Sequence, residues 1–246
     1  MNNYKMLISY DGSRYYGWEH QPGIELTIQG KLENVLERLC GVKTDVIGAG
    51  RTDAGVHAKG MVCNAFFDTD LSEKEIRDYF NRYLPDDICV KDVKLASERF
   101  HSRYKAVGKT YRYTCYVGDT KPVFDRKYVY CLDYVPDIDR MQEAADILMG
   151  EHDFAAFCSN PRMKKSTVRI VDNINIVRNG SYMYFTYHGT GFLQHMVRIL
   201  TGTLLEIGNG KRDVSSINEL FVCKDRKMAG FTAPAEGLCL IEVDYN

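Results

Sequence analysis

Residues 61–95, MVCNAFFDTDLSEKEIRDYFNRYLPDDICVKDVKL, decide the fold because they predict a strand, a helix and a second strand in succession. The apolar opening MVCNAFF is typical of part of a longer strand. Ser72 and Glu75 have the spacing of a capping box, so they start a helix, which ends before Pro85. Residues 88–95 predict the next strand. This stretch is therefore the second half of a mixed α+β unit.

The residues upstream complete that unit. Residues 4–10 predict a strand, and residues 44–47 predict a short one. Between them, Thr27 can cap a helix that runs to about Cys40, because apolar residues recur there at helical spacing. The resulting order, βαββαβ, is the ferredoxin-like pattern.

The residues downstream repeat this order with insertions. Asn179-Gly180 is a strong hairpin signal between two of the later strands. The predicted strands are 110–117, 167–178, 181–188 and 238–245, and the predicted helices are 137–149, 192–207 and an extra one at 214–222. We therefore predict an α+β fold of two ferredoxin-like halves, 1–103 and 104–246, joined through a continuous antiparallel sheet. The central cleft between the halves is the expected catalytic site.

The bulk composition is that of a globular protein. Of 246 residues, 45% are hydrophobic and 26% are charged. The N-terminus lacks the cationic and apolar segments of a secretory signal, and no apolar run approaches the ~20 residues of a membrane helix. We therefore expect a cytoplasmic protein without a membrane partner.

The eight cysteines are widely spaced, and no two of them form a CxxC pair. Zinc sites usually take closely spaced ligand pairs, so we expect reduced structural thiols and no metal. The net charge of −1 also bears on partners. A nucleic-acid-binding face should be basic, so any such face must be a local patch.

Two acid-free basic runs supply candidate patches. Residues 99–117 carry five Lys or Arg with tyrosines interleaved, and residues 162–169 form the second run. Cations neutralise phosphates and tyrosines stack on bases, although each run alone also fits a solvated face. The RNA-binding candidates are Arg14, Arg99, Arg103, Lys105, Lys109, Arg162, Lys164, Lys165 and Arg169.

One loop carries the residues best suited to chemistry, GAGRTDAGVHA at positions 48–58. Its glycines allow a tight turn and a close approach by a ligand. A dinucleotide fingerprint would need glycine where Asp53 stands, and the Lys-Ser/Thr of a P-loop is absent. The residues alone leave open a plain turn or a ligand-binding loop around Asp53.

This loop and further segments resemble TruA-type tRNA pseudouridine synthases. The matching segments follow the family's order along nearly the whole chain. They are YDGSRYYGW (10–18), TIQGKLE (27–33), GAGRTDAGVHAKG (48–60), RFHSRYKAVGKTYRY (99–113), GEHDFAAF (150–157), KSTVR (165–169), GFLQHMVRILTGTLLEIGNG (191–210) and GFTAPAEGLCL (230–240).

The resemblance implies an isomerase that breaks the bond from uracil N1 to ribose C1′ and rejoins the flipped base through C5. Asp53 then is the catalytic carboxylate, acting on C1′ or on a ribose proton. Arg51 fills the space of the flipped base, and Arg198 pairs with Asp53. Tyr111 stacks on the uracil, and Leu240 walls the pocket. From the residues alone, the two arginines also fit solvated cations, and Tyr111 and Leu240 also fit core packing.

The resemblance further implies that no cofactor is needed and that a homodimer binds tRNA, with uridines 38 to 40 of the anticodon stem-loop as targets. Glu19, His20 and Gln194 depart from the family pattern, which leaves room for another RNA substrate. Two alternatives belong to other classes. One is an RNA-binding protein that has lost catalysis, and the other is a small-nucleotide enzyme on a ferredoxin-like fold.

Overall fold

The computed structural model describes residues 1–160 and 163–246. Contacts divide the chain into two compact units, Met1–Val107 with Cys239–Asn246 (unit 1) and Gly108–Leu238 (unit 2). The final strand, which the sequence analysis assigns to the second half, thus groups with unit 1. The division into halves at residue 103 stays a prediction.

The described residues contain strands and α-helices in an order close to the predicted one. In chain order they are β1 (Asn2–Tyr10), α1 (Ile28–Cys40), β2 (Ile47–Gly48), β3 (His57–Phe67), α2 (Glu73–Tyr83), β4 (Ile88–Ala96), β5 (Ala106–Tyr116), β6 (Tyr130–Cys131), α3 (Ile138–Leu148), β7 (Gly150–Asp153), β8 (Val168–Asn179), β9 (Tyr182–Gly189), α4 (Met196–Gly208), α5 (Ser216–Cys223) and β10 (Leu238–Tyr245). The α+β class is confirmed, and most strand pairs are antiparallel.

Unit 1 is built on a sheet with the order β4-β1-β3-β10, and β2 also pairs with β3. β1 is antiparallel to β3 and β4, whereas β10 runs parallel to β3 through Cys239 opposite His57 and Leu240 opposite Ala58. Alternate residues of β1 are buried, and Met6 and Ile8 are fully so. They form the core of unit 1 with buried apolar residues of α1 and α2, such as Leu36 and Phe80.

Capping fixes both helices of unit 1 where the sequence predicts. The Thr27 hydroxyl accepts a hydrogen bond from the Gly30 N–H at 3.2 Å. Ser72 and Glu75 form the predicted capping box. The short strand predicted at 44–47 is largely wrong, because the Val46 N–H donates to the Glu33 carboxylate at 3.1 Å instead of to a strand.

Unit 2 contains the antiparallel order β5-β9-β8-β7, with β6 parallel to β5. The predicted hairpin joins β8 and β9, and Gly180 adopts a φ of +58° in its turn. Tyr113 of β5, Tyr187 of β9 and Leu200 of α4 are fully buried, so they belong to the core of this unit.

The start of α4 differs from the predicted residue 192. The Met196 N–H donates to the Leu193 carbonyl oxygen at 3.1 Å, which forms a turn before the helix. His195 then takes a left-handed φ of +60°, which the right-handed helix cannot contain. The helix therefore begins at Met196, and Arg198 lies in its first turn.

The cysteines differ in their exposure. All eight cysteines, each in a described residue range, are free thiols. Cys63 and Cys115 are buried, whereas Cys89 is exposed because it occupies an outward position of β4. No helix among the described residues has both the length and the apolar character to cross a membrane.

Candidate active site

The loop between β2 and β3 carries Asp53 and is held by the backbone of residues 15–18. The Trp18 N–H donates to the Thr52 carbonyl oxygen at 3.0 Å, and the Gly55 N–H donates to the Tyr15 carbonyl oxygen at 3.2 Å. These bonds flank Asp53, which is half-buried. The backbone of Asp53 is therefore fixed on both sides.

Buried side chains add a second attachment. The Thr52 and Tyr10 hydroxyl groups lie 2.8 Å apart in a buried hydrogen bond. The Tyr15 hydroxyl donates a hydrogen bond to the Asp87 carboxylate at 2.6 Å. Burial, together with this carboxylate, raises the pKa of Tyr15. Tyr15 thus stays a neutral phenol, and its hydrogen bond to Asp87 ties residues 15–18 to the rest of unit 1.

Glycines permit the close approach of the two segments. Gly17 has a φ of +96°, and a Cβ atom there would lie 2.6 Å from the Thr52 carbonyl oxygen. A Cβ atom on Gly12 would lie 2.0 Å from the Val56 carbonyl oxygen. Glycine is required at both positions because each clash is with backbone, which no rotamer change can relieve.

His57 follows this loop and is not among the site residues predicted from the sequence. Its ring is buried, and Nδ1 lies 3.0 Å from the Gly12 N–H and 3.2 Å from an Asp11 carboxylate oxygen. It therefore helps to hold the segment of Gly12 against the end of the loop. The sequence signal that could have identified His57 is its position directly after the segment GRTDAGV.

Arg51 forms an ion pair that was not predicted from the sequence. Its Nη2 atom lies 2.7 Å from Oε1 of Glu19, and the two side chains are 61% and 47% exposed. Such an exposed pair contributes only about 0–1 kcal/mol to stability. The pair therefore orients Arg51 without locking it.

A cleft of about 730 Å³ opens beside this pair in unit 1. Trp18, Glu19 and Arg51 line it together with Arg103 and Tyr104. Arg103 and Tyr104 are both exposed, so a cation and an aromatic face are available to a ligand there. The cleft thus combines charges and rings suited to a nucleotide.

Tyr111 and Arg198 belong to unit 2. Tyr111 is only 8% exposed, and its ring meets Phe192 edge to face at 5.3 Å. Arg198 is half-buried, and its Nε atom donates to the Ala233 carbonyl oxygen at 2.7 Å. The Ala233 N–H donates back to the Arg198 carbonyl oxygen, so this arginine anchors the GFTAPAEG segment to α4.

Leu240 lies in unit 1, in β10 opposite Ala58, and is 1% exposed. Core packing therefore accounts for its burial. Asp53, Arg51 and Leu240 are thus placed in one unit, and Tyr111 and Arg198 in the other. Among the described residues, no group of three or more His, Cys, Asp or Glu is arranged to hold a metal ion.

The basic candidates are mostly exposed. Arg14 contacts Asp87 at 3.1 Å, and Arg169 is half-buried, with a pKa lowered by burial. Lys109 is also half-buried, and Arg162 lies outside the described residues. The exposed members of the set are Arg14, Arg99, Arg103, Lys105, Lys164 and Lys165.

Comparison with known proteins identifies the class. The family model for tRNA pseudouridine synthase matches residues 6–105 and 144–246, and the chain belongs to this family of RNA-modifying isomerases. Curated relatives named tRNA pseudouridine synthase A are similar over their full length. Those of Bacillus sp. (strain KSM-64) and Clostridium kluyveri are 44% and 41% identical, with 100% of each chain covered.

A solved structure of a Cbf5-Nop10-Gar1 complex also matches, with 11% identity and a TM-score of 0.38. The match covers 96% of this chain and 48% of the other. The resemblance expected from the sequence motifs is confirmed by the family model and the curated relatives.

Proposed function

We propose that the protein isomerises uridines 38 to 40 in the anticodon stem-loop of tRNA, with Asp53 as its catalytic carboxylate. The observation that carries this proposal is the loop of Asp53, which backbone hydrogen bonds hold on both sides. Catalysis by one carboxylate requires a fixed position more than a second acid, because the base is rejoined to the same ribose.

Supporting roles follow for the other candidates. Arg51, in the exposed cleft, takes the space vacated by the flipped base, and Arg198 is the second catalytic cation. Tyr111 stacks on the target uracil, and Leu240 forms part of the apolar wall of the pocket. The basic residues of the two runs and Arg14 bind phosphates. A homodimer in the cytoplasm is the proposed working form, and no cofactor takes part in the reaction.

The direct test uses tRNA labelled with tritium at uracil C5. Formation of the new C5 bond displaces this tritium, so we expect its release to water from the anticodon arm, with a chelator present. Transcripts in which uridines 38 to 40 are replaced by cytidine are the matched controls. Release that is unchanged in these controls contradicts the positional proposal, and no release from any tRNA favours an RNA-binding protein without catalysis.

Glu19 gives a second prediction for the same site. Its carboxylate competes with the RNA for Arg51, because the two groups lie 2.7 Å apart in the free protein. We expect Glu19→Gln to tighten tRNA binding about threefold to tenfold at low salt, because Arg51 is released from the ion pair and can contact the RNA. Fluorescence anisotropy with labelled tRNA measures the change.

Glu25→Gln is the matched control, since Glu25 is an exposed glutamate in the loop that leads into α1. We expect no tightening from this variant. In an Arg51→Ala background, the effect of Glu19→Gln should disappear. If Glu19→Gln tightens binding equally without Arg51, the ion pair is not the cause.

A further inference from the structure

A second recess in unit 1 is lined by lysines. It has a volume of about 340 Å³, and we call it the lysine groove. Apolar residues from three strands, including Leu7, Val62 and Val243, also line it. Its charged residues are Lys5, Lys59, Lys91, Lys94, Asp92 and Glu242.

The lysine groove is separate from the loop of Asp53. Among the described residues, its lining includes none from positions 48–56. Lys5 lies on β1 opposite Lys94 of β4, while Lys59 belongs to β3. The groove therefore exists only because four strands, β1, β3, β4 and β10, pair in this register.

Positive charge is in excess in the lysine groove. Four lysines face two acids, which leaves two positive charges. The Asp92 carboxylate lies 3.4 Å from the Lys94 Nζ atom and offsets it in part. The Lys59 and Lys94 side chains remain exposed at the surface.

Lys5 is the most constrained member of the groove. Its Nζ atom lies 4.3 Å from the centre of the Tyr245 ring and 5.2 Å from that of Phe100. Burial and then the charge of Lys94 lower the pKa of Lys5, against the opposite effect of Asp92. An anionic ligand lowers the electrostatic repulsion between cations that lie this close together.

We propose that the lysine groove binds backbone phosphates of the tRNA, away from the target nucleotide. Ammonium groups are common phosphate ligands, and several of them on one sheet face suit a chain of evenly spaced charges. A second copy of the protein is a poorer occupant, since lysine is depleted in protein interfaces. This inference rests on tRNA being the substrate, as proposed above.

The test is the double variant Lys59→Gln/Lys94→Gln, which removes two exposed charges from the groove. Its matched control is Lys43→Gln/Lys74→Gln, which removes two exposed lysines of unit 1 that do not line the groove. Binding to full-length tRNA is measured by anisotropy over a series of salt concentrations. Thermal unfolding verifies that both variants fold.

We expect the groove variant to bind about tenfold more weakly near physiological salt and the control to change little. The slope of log Kd against log salt should fall by about two units, one for each phosphate contact. Equal behaviour of the two variants overturns the proposal. An altered sedimentation coefficient with unchanged tRNA binding also overturns it, because the groove is then a protein interface.

The outcomes for the groove and for the proposed function are distinguishable. Tritium release by the unaltered protein tests the reaction, whereas the two lysine variants test only binding. Normal release together with equal binding by both variants would reject the lysine groove alone.

Discussion

Asp53→Asn is expected to lower tritium release from tRNA by about a thousandfold or more. The amide has nearly the same shape as the carboxylate, so the loop and its backbone hydrogen bonds should persist. It can neither attack ribose C1′ nor accept a ribose proton, and these are the two roles open to Asp53. Single-turnover release with excess enzyme measures the loss without a contribution from product dissociation.

Binding separates a catalytic effect from a structural one. We expect the Kd of Asp53→Asn for tRNA to stay within a few-fold of the unaltered protein. Asp70→Asn, which changes an exposed aspartate just before α2, is the matched control and should turn over normally. Turnover of Asp53→Asn within tenfold of the unaltered protein would remove Asp53 from its proposed role.

Local signals made much of the fold predictable. The capping box of Ser72 and Glu75 fixes the start of α2, and Thr27 fixes the start of α1, because both are contacts between near neighbours in the chain. The hairpin at Asn179-Gly180 was found for the same reason. The loop of Asp53 was recognised by its resemblance to a family motif. Its residue types alone left open a plain turn or a ligand-binding loop.

Features that depend on an unusual backbone conformation or on distant partners were missed or misplaced. The end of the turn before α4 is set by His195 in a left-handed conformation, which its residue type does not predict. The partner of Arg51 is Glu19, which precedes α1. The lysine groove depends on the register of β1 with β4, so no single segment of sequence reveals it.

The approach of Gly17 to the loop of Asp53 leads to the last prediction. Gly17→Ala should lower the free energy of unfolding by about 2–4 kcal/mol. About 1 kcal/mol comes from a side chain at φ +96°, and the rest comes from a Cβ atom 2.6 Å from the Thr52 carbonyl oxygen. Since Thr52 directly precedes Asp53, the displaced backbone should also reduce turnover by at least about tenfold.

Gly23→Ala separates these two causes. Gly23 also has a positive φ, +78°, but no atom lies within 4 Å of the position of its added Cβ. It should therefore show only the conformational cost of about 1 kcal/mol, with normal tritium release. Urea denaturation and single-turnover release measure both variants. Equal losses of turnover in the two variants would mean that contact with Thr52 does not position the loop. A loss of turnover confined to Gly17→Ala would mean that the close approach of Gly17 to Thr52 positions the carboxylate of Asp53.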